Sequence, residues 1–185
     1  MEEKNTDSLW KIINRIDSYV ISTNNKATLL LAFNTFLVSG IILKWSDIIE
    51  MYIYSPIIKV IVSFLLIICT CASIFSLLRL FQVINPYLYS YIFPEKYHSK
   101  LFFLHIADYQ TESDYYNAVL ELSNVNLIKD LTFQIFSLSK GISRKFYLLK
   151  QAICAILYVI LPALVLLIMF KVYLILSQIT ILTGA

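Results

Sequence analysis

The scarce residues of this chain decide what chemistry is open to it. There are two histidines, His98 and His105, and neither has a carboxylate partner at metal-ligand spacing, so they do not form a ligand set. Cys69-Thr70-Cys71 lacks zinc-type spacing and a second pair, and Cys154 falls in another apolar run; all three read as small buried hydrophobes. The glycines, Gly40, Gly141 and Gly184, are too far apart to build a phosphate-cradling loop. The acidic residues are scattered along polar faces. No catalytic residue and no metal site is assigned, and the expectation is a protein that is not an enzyme and carries no cofactor.

Binding chemistry is better represented. Arg15, Asn24, Asn25 and Lys26 precede the first apolar run and Arg79 closes the second. Cations and amides at a membrane face could meet an anionic ligand; the same residues also stand where helix ends need charge for orientation alone. Asn34 lies inside the first run, with Ser39 and Gly40 close behind it. Small residues let helices approach, and an amide in lipid seeks a partner across an interface. Asn34 therefore reads either as packing glue or as a polar position on a pore or a self-association seam. Pro162, in the middle of the last run, should kink it or leave a carbonyl unpaired. Tyr87, Tyr89 and Tyr91 alternate between Pro86 and Pro94, as interfacial anchors or as a stacking surface for a planar ligand.

The elements that must position these residues are set by composition. Of 185 residues 59% are hydrophobic and 15% charged, with a mean hydropathy of +0.74. A soluble domain of this size could not bury so much apolar surface, so the excess faces lipid. The net charge is +3, with lysine and arginine dispersed between the apolar runs, a distribution that speaks against nucleic acid as a partner. The start is acidic and lacks the basic-then-apolar form of a cleavable signal peptide.

Residues 1–26 are expected to form an amphipathic helix, capped at Asp7 or Ser8, with Leu9, Ile13, Ile16 and Val20 on one face. Residues 27–83 read as a two-span hairpin, its spans near 27–43 and 57–78 and its connection rich in headgroup-level residues such as Trp45, Asp47, Tyr52 and Tyr54. Residues 84–151 hold a long helix starting at Ser113 or Asp114, with an apolar stripe from Leu120 to Leu149. Residues 152–185 supply a third span, near 152–170, and a short tail whose path the sequence leaves open. The fold class is thus an all-α membrane protein with three transmembrane helices, an N-terminal amphipathic helix and a long cytosolic helix before the last span. Basic residues concentrate before the first span and between the second and third, which predicts a cytosolic N-terminus and an external C-terminus.

The amphipathic helix running through Asn25-Lys26-Ala27 into a span resembles the transmembrane effectors of bacterial Pycsar anti-phage systems. So do the second span ending near prolines, Leu101-Phe102-Phe103, and Lys129-Asp130-Leu131-Thr132-Phe133-Gln134 through Ser139 leading past Lys145-Phe146 into the last span. The likeness runs from about residue 9 to 170. It implies an effector in the bacterial inner membrane that is activated by cyclic UMP or cyclic CMP from a partner pyrimidine cyclase. Membrane impairment and death of the infected cell would follow, with the bilayer and further copies of the chain as physical partners. Relatives often carry an acidic residue shortly before the Lys-Ala pair, where this chain has Asn24 and Asn25. Two other readings stay open: an accessory subunit of a membrane complex, and a holin-like toxin that needs no messenger.

Overall fold

The computed structural model describes residues 2–52, 55–85 and 99–183, and among these every regular element is helical. In chain order they are α1 (Glu2–Leu43), α2 (Trp45–Glu50), α3 (Pro56–Ile84), α4 (Phe103–Ala107), α5 (Glu112–Leu120), α6 (Asn124–Ala155), a π-helical turn over Ile156–Ile160, and α7 (Leu161–Thr183). Three helices are long and apolar enough to cross a membrane. Tyr54, Pro86, Tyr87, Tyr89, Tyr91, Pro94, His98 and Gly184 lie outside the described residues.

By contact the chain forms two units. A polar one comprises Met1–Asn24 with Pro86–Phe146, and an apolar one comprises Asn25–Asn85 with Tyr147–Ala185. The boundaries fall inside helices. α1 passes from one unit into the other without a break, and so does α6. At 1.5 Å per residue, the 42 residues of α1 run about 63 Å, twice the ~30 Å of a hydrocarbon layer.

In the apolar unit α3 is the central helix. Its buried residues are Val62, Leu66, Cys69, Ser73, Ser76, Leu80 and Val83, alternating steps of four and three. That is the seam of a left-handed helix bundle, one narrow stripe facing the partners. The rest of α3 is as apolar but exposed, with Phe64, Ile67, Phe75, Leu78 and Phe81 outward. One cluster on the seam joins Val62, Leu66 and Cys69 to Ile41, Tyr52, Ile156, Ile160 and Ala163. The other joins Leu80 and Val83 to Ala27, Leu148, Leu149 and Ala152. In lipid the apolar transfer term is nearly absent, so close packing and interhelical hydrogen bonds hold such a bundle.

In the polar unit Ile13, Ile16, Leu131 and Ile142 are buried. The connection after α1 also contains regular structure: Lys44 bonds Asp47 at 2.8 Å in an exposed pair, and α2 follows at once.

Three expectations need correcting. The first helix starts at Glu2, so Asp7 and Ser8 lie within it and do not cap it. Of the three cysteines only Cys69 is buried, Cys71 being exposed and Cys154 half-buried, because an apolar run in lipid turns part of its surface outward. The long helix does not begin at Ser113 or Asp114. Thr111 accepts the Asp114 N–H and caps the short α5, which ends at Leu120. Ser123 then accepts the Asn126 N–H and starts α6 anew. Two capping hydroxyls in one stretch give the chain two starts, and the second wins the long helix because the apolar stripe continues from it. Gly141 sits buried in the middle of α6 without ending it. The tail left open by the sequence is also helical, α7 continuing past Lys171 to Thr183.

Candidate functional site

Asn24 is the last residue of the first segment of the polar unit. Its side-chain Oδ1 accepts a hydrogen bond of 3.0 Å from the Lys145 ammonium, 121 residues further on. Lys145 is only 7% exposed, and burial pulls its ammonium below the ordinary lysine range. One residue before Asn24, Thr23 is also buried, its hydroxyl donating to the Tyr19 carbonyl at 2.6 Å. The two helices that continue into the spans are therefore clasped by a buried cation just before they leave the polar unit. The neutral amide satisfies one of the three protons of the ammonium.

A second polar centre anchors the segment before α4. Asp130 on α6, 1% exposed, accepts the backbone N–H groups of Lys100 and Leu101 at 2.9 and 3.1 Å through Oδ2. Ser99, fully buried, accepts from the Leu101 and Phe102 N–H groups, while its own N–H donates to Nδ1 of His105 at 2.9 Å. Tyr115 donates to the Lys100 carbonyl, and the Lys100 ammonium to that of Ala118. One carboxylate and one hydroxyl thus fix the turn that presents Phe102 and Phe103.

Beside that turn the polar unit has a cleft of about 250 Å³. Phe102, Phe103 and Leu101 form one wall, Ile13 and Asp17 of α1 another, and Gln134, Ser137 and Leu138 of α6 the third. The Nε2 of Gln134 is buried without a hydrogen-bond partner among the described residues.

The apolar unit has its own polar atoms. Asn34, fully buried, donates from Nδ2 to the Ser73 carbonyl of α3 at 2.9 Å, and Ser76 donates to the Ala152 carbonyl at 3.4 Å. The Oδ1 of Asn34 and the hydroxyl of Ser73 have no partner among the described residues. Ser39, Gly40 and Pro162, by contrast, are exposed, and a Cβ added at Gly40 would meet nothing within 4 Å. The π-helical turn ends at Ile160, two residues before Pro162, with the Leu161 N–H bonded to the Ile156 carbonyl five residues back. A proline lacks the N–H for the usual four-back bond and crowds the carbonyl there; one wider turn accommodates both.

The cations singled out by the sequence divide between the units. Arg15 and Asn24 belong to the polar one, Asn25, Lys26 and Arg79 to the apolar one. Arg15, Asn25 and Lys26 are exposed. Arg79 is held along its own helix, Nη1 donating to Gln82 at 3.0 Å and the guanidinium 5.0 Å from the Phe75 ring centre. Sequence reasoning missed Lys145, Asp130 and Gln134 as site residues. Each lies in a run of helical periodicity that offers no local mark of burial, and each fell within a stretch that carried the family likeness without marking a site.

The model of the Pycsar effector protein domain matches residues 8–171, most of the chain. No curated protein and no solved structure matches it.

Proposed function

Because the chain belongs to the Pycsar effector family, we propose that it is the membrane-impairing arm of a cyclic-nucleotide-signalled anti-phage system. In this reading a partner cyclase makes cyclic UMP or cyclic CMP on infection. The polar unit, in the cytosol, receives that messenger, and the spans, in the inner membrane, rearrange to let the cell's gradients collapse. The observation that carries the proposal is that α1 and α6 each contribute residues to both units, with Ala27 and Ala152 packing beside Leu80 and Val83 of α3 in the apolar one.

The messenger is an anion, and cations of each unit are available to it: Arg15, with Asn24, in the polar unit, and Lys26 and Arg79, with Asn25, in the apolar unit. To drive the spans from almost wholly closed to almost wholly open, it must bind the open arrangement more tightly by ~5.5 kcal/mol. Copies of the chain associate through the exposed small-residue face at Ser39 and Gly40, and the π-helical turn before Pro162 supplies a helix segment that can change register.

The test is expression in cells beside an active pyrimidine cyclase or its inactivated form, read with a potential-sensitive dye. Depolarisation only with the active cyclase is expected. Depolarisation with both would favour a messenger-independent toxin, and depolarisation with neither would favour an accessory subunit.

A further inference from the structure

We propose that the seam between α1 and α3 at Asn34 and Ser73 is a water site, the level of the apolar unit at which water enters between the spans. The inference goes beyond the messenger reading above and does not depend on it.

Two hydrogen-bonding atoms are left over there. Asn34 and Ser73 are both fully buried, and a 2.9 Å bond from the Asn34 Nδ2 to the Ser73 carbonyl joins the two residues. That bond uses only the donor of the amide. Its Oδ1 has no partner among the described residues, and neither has the Ser73 hydroxyl. A hydroxyl inside a helix ordinarily donates to the carbonyl four residues back. Thr35, Ser63 and Thr70 of the same spans do so, each at 2.8 Å. Ser73 does not.

Along the seam this pair lies between two apolar layers. Before Ser73, the α3 residues Val62, Leu66 and Cys69 pack with Ile156 and Ile160. Beyond Ser76, Leu80 and Val83 pack with Ala27 and Ala152. The polar layer between them is loosely tied, since the fully buried Ser76 reaches the Ala152 carbonyl only at 3.4 Å, long for a hydroxyl donor. Parting the helices at either apolar layer gains no hydrogen bond. Parting them at Asn34 and Ser73 frees an acceptor and a hydroxyl whose bonds are unmade, and keeping such groups dry is costly.

Chemistry selects the occupant. The Asn34 Oδ1 takes only a donor, whereas the Ser73 hydroxyl gives or takes. A lipid tail does neither. A hard cation needs many oxygens and usually a carboxylate, and residues 27–43, 57–78 and 147–170 contain no aspartate or glutamate. Water donates to the first atom and pairs with the second, which meets the lower end of the ~2–4 polar partners of an internal water. Both atoms are shielded from solvent with the helices closed, so water arrives as α1 and α3 separate.

The test is water-edited solid-state NMR of the full chain in phosphatidylcholine liposomes, labelled with nitrogen-15 on asparagine and cysteine, with no nucleotide added. Magnetisation from water should reach the Asn34 side-chain amide several-fold faster than the backbone N–H of Cys69, which lies on the same stripe in the neighbouring apolar layer. Asn34→Leu identifies the signal by its loss. Ser73→Ala should slow the transfer to Asn34 towards the Cys69 rate without lowering the thermal midpoint, because it removes a hydroxyl that has no protein partner. Equal transfer to Asn34 and Cys69 would overturn the water site, and so would a rate that Ser73→Ala leaves unchanged. With no nucleotide present, either failure leaves the messenger reading standing; a cyclase without effect in cells leaves the water site standing.

Discussion

Lys145 is the residue on which the account turns at the smallest scale. A lysine at 7% exposure keeps its charge only with good partners, and Asn24 is one of them. Asn24→Leu should cost roughly 1.5–3 kcal/mol, the usual worth of a hydrogen bond to a charged group. Lys145→Met should cost less, because it removes the buried charge together with its need for a partner. Asn24→Asp, which supplies a counter-charge at the same place, should be tolerated and should make the clasp harder to open. Thermal unfolding in detergent, followed by circular dichroism, orders the three; an Asn24→Leu variant as stable as the parent would remove the clasp from the argument. Residue chemistry was only half legible beforehand. Asn24 drew attention because it stands where the chain turns apolar, whereas its partner is far away in sequence and lies in a stretch, Ser143-Arg144-Lys145, that reads as an ordinary solvated face.

At the scale of elements, existence was more legible than extent. Uniformly apolar runs declare a span by length alone, yet they hide which side packs, because in lipid both sides are apolar. The α3 seam became visible only when partners were in place; in hindsight Ser73 and Ser76, three apart in an apolar run, mark its centre. The double start at Thr111 and Ser123 misled the reading of α6, since either hydroxyl satisfies the capping rule. Two predictions belong here. Pro162→Ala should raise the thermal midpoint: a helix-interior proline costs ~3 kcal/mol against alanine, and somewhat less where a π-helical turn already accommodates it. A midpoint that falls would show that the wider turn is favoured by its own packing instead. Gly40→Leu should leave the folded chain intact, having open space around the new side chain, while weakening association between copies that need that face. Sedimentation in detergent reads the difference; an unchanged assembly would place the contact elsewhere.

For the molecule as a whole, the family and the helical class followed from patterns spread over nearly the full length, and the division into a polar and an apolar unit follows the change in composition that marks the first crossing. What composition could not convey is that the same two helices serve both units. α1 and α6 each contribute residues to both units. The account stands on a direct effect of the nucleotide on the protein. The purified chain, reconstituted into liposomes loaded with a self-quenched dye, should release the dye within minutes of adding cyclic UMP or cyclic CMP and hold it when the linear monophosphate is added. Retention of the dye with both cyclic nucleotides, from liposomes shown to contain correctly folded protein, would contradict it.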